Sequence, residues 1–201
     1  VHTWRSMQAV LDITGSMMAA TEQDVVYARE MHLILPALFA GALVVVPPAT
    51  RFSPRRLYED IQRYRVTLFF GVSSELQQLT DFLHNSSLQM PSCVREIWIG
   101  AAPVRQSFLR RFKSVAGDAV EVWCVYGMTE ILPVARISLQ DKMQYVGRGD
   151  PVGVCVDGVV AKVSAEKELI LTGPNLCARY FGQPECHELA TGDLALIEGD
   201  L

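Results

Sequence analysis

The sequence predicts an α/β fold: a mostly parallel sheet with flanking helices, followed by a β-rich antiparallel tail. Three observations carry this. Apolar, strand-forming runs alternate with amphipathic helical stretches from Thr3 to about residue 128. Several of these runs are apolar throughout, as in strands covered on both faces. After about Tyr145 the pattern breaks into short β runs punctuated by Gly, Asp and Pro. The chain therefore divides into an α/β part, residues 1–144, and a β-rich part, residues 145–201.

Each element follows from local chemistry. "WRSMQAVLDITGSMMAA", within Thr3 to about Thr21, has helical apolar spacing, and "DVVYA" reads as a short strand. "HLILPALFA" reads as a buried helix and "ALVVVP" as a buried strand. Ser53 as N-cap and Pro54 at the first helical position open the helix "SPRRLYEDIQRYR". "VTLFFGV" is the next strand, and "SSELQQLTDFLHN" a helix capped by Ser73 or Ser74. The strand "VREIWIGAAP", the helix "RQSFLRRFKSVA" and the strand "AVEVWCVYG" follow. In the tail, "GVCVDGVVAKVS", "ELILTGP" and "LATGDLALIEG" read as antiparallel strands.

Half of the 201 residues are hydrophobic and a fifth are charged, enough to bury a core. A net charge of −4 argues against a nucleic-acid partner, since only "RFSPRR" is locally basic. The five cysteines are odd in number and form no CxxC, which predicts reduced thiols in a cytoplasmic setting, with Cys124, Cys155 and Cys177 buried. The four histidines lack metal-ligand spacing. Leu33 to Thr50 carries no charge, yet Pro36, Gly41 and Pro47-Pro48 punctuate it, so no transmembrane segment is expected.

In parallel sheets ligands bind beyond the carboxyl ends of the strands. Three such ends carry unusual residues: "FFGVSS", "WIGAAP" and "CVYGMTE". Gly71 and Gly100 let a ligand approach the backbone. Tyr126 offers a flat face for a base or ring. Thr129 offers a hydroxyl to a phosphate, and Glu130 a hard oxygen suited to Mg²⁺. Taken singly, each has a plainer explanation: glycines end strands, tyrosines finish cores, and Thr-Glu begins helices. Taken together, the pieces are specific.

The combination resembles the AMP-forming acyl- and aryl-acid adenylating superfamily, which includes acyl-CoA synthetases, peptide-synthetase adenylation domains and firefly luciferase. "YGMTE" matches its Y-G-x-T-E motif, "IWIGAAPV" its G-A-P strand end, "ELILTGPNLCARYFGQPE" its G-E-L segment and "ATGDLA" its T-G-D. "VHTWRS" and "MHLILPALFAGALVVVP" are similar to two further segments, and all fall in family order. The resemblance covers nearly the whole chain and implies the large domain of an acyl-CoA synthetase-like ligase. In that family a carboxylic acid attacks the α-phosphate of ATP, and the acyl group then passes from AMP to a thiol.

By resemblance, Tyr126 stacks on adenine beside Gly127, and Gly100, Ala101, Ala102 and Pro103 line the adenine and acyl sites. Thr129 meets a phosphate, Glu130 holds Mg²⁺, and Asp193 accepts from the ribose hydroxyls. His32, Gly71, Val72, Gly100 and Met128 form the acid pocket; the plainer reading of His32 is a core histidine. The implied ligands are ATP or AMP, Mg²⁺, an aliphatic or aromatic small-molecule carboxylic acid, and CoA or the phosphopantetheine of an acyl carrier protein as acceptor. The alternatives are a non-catalytic nucleotide- or acyl-binding module, or a peptide-synthetase adenylation domain.

Cys124 stands where many relatives place Asn, Gln or Asp toward the adenine amino group. The family's phosphate loop and its C-terminal domain with a catalytic Lys are not among these residues. The sequence is therefore expected to be the middle of a large N-terminal domain and, taken alone, inactive in adenylation.

Overall fold

The computed structural model describes residues 1–49 and 51–198. Two sheets organise them. The larger has seven strands in the order β2-β1-β3-β4-β5-β6-β7: β1 is Val25–Tyr27, β2 Leu43–Val45, β3 Leu68–Val72, β4 Glu96–Gly100, β5 Glu121–Met128, β6 Ile131–Ser138 and β7 Val154–Cys155. The pairs among β2, β1, β3, β4 and β5 are parallel, whereas β6 and β7 are antiparallel. The smaller sheet is antiparallel, in the order β10-β9-β8, with β8 at Val160–Val163, β9 at Glu168–Thr172 and β10 at Leu189–Leu194. A mostly parallel sheet and an antiparallel tail are the predicted fold.

The helices form where capping and spacing require. In α1 (Trp4–Met18) the Thr3 hydroxyl accepts from the Ser6 N–H while Ser6 accepts from the Thr3 N–H, closing a reciprocal cap. In α3 (Pro54–Tyr64) Ser53 accepts from the Arg56 N–H, with Pro54 at the first position. Leu57 and Ile61 turn its one apolar edge inward. Helices α4 (Ser73–Asn85) and α5 (Gln106–Ala116) bury Leu76, Leu79, Leu83, Leu109 and Phe112 against one face of the sheet, together with Phe69, Ile97 and Ile99. On a second core cluster, Met18 of α1 and Leu33, Ile34 and Ala37 of α2 (Met31–Phe39) pack with Val26, Leu68 and Trp98. Ile131, Val134, Leu171 and Leu189 join the two sheets in a third cluster.

Several expectations are corrected. "ALVVVP" is not a buried strand: β2 has three residues and is the edge of the sheet, with Leu43 58 % exposed. The outer end of α2 is open too, at Leu38 and Phe39. Neither Ser73 nor Ser74 caps α4; Val72 holds the cap position without a side-chain bond. Ser73 is already helical, and its hydroxyl points at the Ala102 and Pro103 carbonyls. Thr129-Glu130 begins no helix but turns the chain from β5 into β6, a strand not anticipated from sequence. Part of the tail, β7, belongs to the large sheet. Cys124 and Cys177 are buried as expected and Cys155 is half-buried; all five thiols are free. Among the described residues no helix is long and apolar enough to cross a membrane.

Candidate functional site

The carboxyl ends of β3, β4 and β5 lie side by side. Val72 pairs with Gly100, and Ile99 with Cys124, which sets Gly71-Val72, Gly100 to Pro103 and Tyr126 to Glu130 in one row. At Gly71 the room left by the missing Cβ is filled by Leu76, whose side chain would meet an added Cβ at 2.7 Å. At Gly100 the Val125 carbonyl and the Phe70 ring would meet it at 3.0 and 3.1 Å. At both positions a side chain would press on close neighbours. Ala101 follows Gly100 in the left-handed region, at φ 61°, a conformation that costs an alanine roughly 1 kcal/mol. It holds Ala101, Ala102 and Pro103 out at the exposed end of the strand.

Beyond Tyr126 the β5–β6 ladder shifts register, and Thr129-Glu130 forms a two-residue connection between Met128 and Ile131. This tip is fastened from several directions. The Cys177 N–H donates to the Glu130 carbonyl at 2.7 Å. The His2 Nε2–H donates to the Thr129 carbonyl at 2.8 Å. The Tyr180 hydroxyl donates to the Glu130 carboxylate at 3.1 Å. That bond and its charge push the Tyr180 hydroxyl pKa upward, with partial burial adding to the effect. The Thr129 side chain is exposed, and Met128 is half-buried against the core between the sheets.

Asp193 reaches this row from the smaller sheet. It lies where β10 loses register between Ala190 and Leu194. Gly192, at φ 79°, permits the detour. The Tyr126 hydroxyl donates to Asp193 Oδ2 at 2.6 Å. Burial, then the bond to Asp193 and its charge, push the Tyr126 hydroxyl pKa upward, so it keeps its proton at neutral pH.

Of the residues expected to form a site, the fold gathers Gly71, Val72, Gly100 to Pro103, Tyr126 to Glu130 and Asp193. His32 lies on the first turn of α2, just beyond the carboxyl end of β1. Burial pushes its imidazole pKa down, against the opposing charge of Glu30. A cleft of about 180 Å³ opens at the ends of β1 and β3, lined by Gly71, Val72, Tyr27, Phe70 and the arginines Arg29 and Arg56 among others. His32 does not line it. Cys124 is 4 % exposed inside the core, and burial pushes its thiol up to about 11 against the opposing charge of Lys142. Sequence reasoning missed His2 and Tyr180. Tyr180 lies inside the matched G-E-L segment, but nothing local tells that its hydroxyl reaches a carboxylate 50 residues away.

An exposed row of strand ends carrying a tyrosine and two lightly held carboxylates stands where α/β sheets bind their ligands. Residues 5–181 match the family of AMP-binding enzymes, and the chain belongs to it. It is 26% identical over 216 residues to a feruloyl-CoA synthase of Amycolatopsis sp, covering 98% of this chain and 43% of that protein. It is 27% identical over 199 residues to the 2-succinylbenzoate–CoA ligase of Bacillus subtilis (strain 168), covering 90% of this chain and 40% of that protein. The chain thus spans well under half the length of the curated relatives it matches. Among solved structures, the O-succinylbenzoate coenzyme A synthetase of Bacillus subtilis in complex with AMP superposes with TM-score 0.82 at 21% identity, covering 98% of this chain and 44% of that one. The amide bond synthetase of Marinactinospora thermotolerans gives TM-score 0.81 at 21% identity, covering 99% and 44%. These two likenesses establish the fold.

Proposed function

We propose that the protein containing this chain is an ATP-dependent, AMP-forming carboxylic acid ligase. The observation that carries the reading is the pairing of Glu130 and Asp193. Both carboxylates stand at the carboxyl ends of the strands, and each is held by a single phenol. In the proposed reaction a carboxylate oxygen attacks the α-phosphorus of ATP, the bond to the β-phosphate oxygen breaks, and pyrophosphate leaves. A thiol then displaces AMP from the acyl carbon. CoA is the acceptor named in both sequence relatives quoted above; a carrier-protein phosphopantetheine has the same reactive group. The setting for such chemistry is cytoplasmic.

The residues divide the task. Tyr126 offers its ring to adenine, and Gly100, Ala101, Ala102, Pro103 and Gly127 supply backbone close to the base. Asp193, an acceptor facing two hydroxyl donors, takes the ribose. Thr129 offers its hydroxyl to a phosphate oxygen. Gly71, Val72, Gly100 and Met128 form the wall toward an apolar acid, with His32 at its mouth. Residues 1–144 thereby carry the acid and adenine sites, and residues 145–201 the ribose site.

A structure of a similar synthetase with ATP and magnesium gives the reading its metal. Glu130 fits that ion: it is a hard oxygen ligand with lone pairs left over by Tyr180. Among the described residues no three His, Cys, Asp or Glu side chains cluster to hold a metal, so nucleotide oxygens would complete the shell. Bound there, Mg²⁺ would offset negative charge on the phosphates. The deciding measurement is acid-dependent exchange of labelled pyrophosphate into ATP by the intact protein, with Glu130→Gln as control. Exchange lost in the variant supports the reading. ATP binding without exchange under any acid would replace it with a non-catalytic nucleotide module.

A further inference from the structure

The Tyr126–Asp193 contact joins residues 67 apart in sequence, one from each sheet. Its 2.6 Å separation is that of a hydroxyl donating to an ionised carboxylate, the stronger class of hydrogen bond. On either side the Asp193 backbone is already fixed. The Gly192 N–H donates to Glu168 Oε1 at 2.8 Å, the Asp193 N–H donates to Thr191 Oγ1 at 3.1 Å, and Thr191 is itself tied to the Leu169 carbonyl. The side chain is exposed and, among the described residues, takes no hydrogen bond other than the one from Tyr126. The backbone therefore sets where Asp193 starts, and the phenol alone sets where its carboxylate points.

We infer that the Tyr126 hydroxyl is a positioning group for Asp193, orienting the carboxylate to receive the paired hydroxyls of a ribose and so setting the site's preference for ribonucleotides over deoxyribonucleotides. The inference rests on the nucleotide reading above and adds a second duty to Tyr126, separate from any stacking by its ring. The geometry divides the two duties cleanly. The phenol occupies one lone pair of Oδ2, leaving Oδ1 and the rest of Oδ2 as acceptors. A carboxylate already turned to its bound direction loses less side-chain freedom when ligand arrives. Holding the sheets together is not what the phenol is needed for, because Ile131, Val134, Leu171, Leu176 and Leu189 already bury the seam between them. The other site carboxylate is held more loosely: Tyr180 donates to Glu130 at 3.1 Å and is itself about half exposed.

The test is Tyr126→Phe in the intact protein, which keeps the ring and removes the hydroxyl. Apparent KM is measured for ATP, for 2′-deoxy-ATP and for the acid, with thermal unfolding of each variant. The expected result is a rise of roughly tenfold in KM for ATP, the size of one charge-assisted hydrogen bond. KM for 2′-deoxy-ATP, which keeps only the 3′-hydroxyl, should rise less, and KM for the acid should hardly move, so the preference for ATP shrinks. Asp193→Ala should abolish that preference, and adding Tyr126→Phe to it should cost nothing further. Asp193→Glu, which carries the charge one methylene past the phenol, should also lose the preference. It serves as the second variant should Tyr126→Phe unfold. Equal loss for both nucleotides in Tyr126→Phe, or an undiminished preference in Tyr126→Phe or Asp193→Glu, overturns the positioning role. An undiminished preference in Asp193→Ala overturns the ribose assignment instead, so the two failures are distinguishable.

Discussion

The two ends of the parallel sheet treat their charges in opposite ways. At the amino ends of β1, β3 and β4, Asp24, Arg95 and Glu96 form a closed group. Arg95 donates Nε to Asp24 at 2.8 Å and Nη1 to Glu96 at 2.7 Å. Asp24 also accepts from the Thr67 hydroxyl and the Thr21 N–H, and Glu96 from the Trp98 indole. The two carboxylate side chains are only 8% and 5% exposed. At the carboxyl ends, Glu130 and Asp193 each have one phenolic donor and unused lone pairs. Charges at the base are saturated by the protein and serve the fold. Charges at the top keep lone pairs that the protein does not fill, as the proposed ligand contacts require.

Substitutions can break this contrast. The largest stability effect is expected at the base. Arg95→Met should leave two buried carboxylates unpaired and cost about 3 kcal/mol in urea unfolding. Asp193→Ala should move the same midpoint by less than about 0.5 kcal/mol. Comparable losses from both would erase the distinction. The ligand readout should invert the order: Asp193→Ala weakens ATP binding by about 1.5–3 kcal/mol, roughly ten- to a hundredfold, by calorimetry on the intact protein. An Arg95 variant that still folds should bind ATP normally.

Acid titration sharpens the base further. Burial pushes the Asp24 carboxyl up, but the bonds from Arg95, Thr67 and Thr21 outweigh it and hold its pKa at about 2, below the ordinary 3.8. A depressed carboxyl contributes stability that is whole above pH 3.8 and is lost as pH falls through 2, at most about 2.5 kcal/mol. Glu96 acts in the opposite sense and at higher pH: burial, the largest influence, raises its pKa above the ordinary 4.5 despite Trp98 and Arg95, so its protonation adds stability before the Asp24 loss sets in. Unfolding free energy should fall between pH 4 and pH 2, and Asp24→Asn should flatten that slope. An unchanged slope would remove Asp24 from the acid response.

At the top, Glu130→Gln keeps shape and loses charge. The proposed adenylation half-reaction should drop roughly tenfold or more, while thiol transfer from supplied acyl-AMP suffers less. Equal loss in both would indicate misfolding. Smallest of all, Tyr180→Phe should cost about 0.5–1 kcal/mol in apparent Mg²⁺ affinity under the same assay.

Most of the fold could be read in the sequence where physics is local. Ser53-Pro54, the apolar pair Leu57 and Ile61, and the strand runs of β3 to β5 each announce their element within a few residues. Strand β6 did not. "ILPVARIS" places Pro133 inside a strand and Arg136 opposite Val125, which spoils any alternating pattern. The partners on both sides compensate: the Asn175 amide donates to the Pro133 carbonyl at 2.8 Å, and the Arg136 guanidinium lies 4.5 Å over the Trp123 ring. The site was legible as a set of motifs, because each motif is a strand end. The bonds of Tyr126 to Asp193, Tyr180 to Glu130 and His2 to Thr129 were not, since each closes a long loop that only the finished fold brings together.

The edges of the large sheet have a consequence for how molecules of this chain meet one another. One outer strand, β2, has three residues and runs straight into Pro47-Pro48; the other, β7, has two. A neighbouring copy seeking to extend the sheet finds two or three backbone groups at either margin, and on one side a pair of prolines without N–H. Exposed apolar side chains at Phe39, Leu43 and Val46 make that margin adhesive, but its brevity denies it a template for ordered stacking.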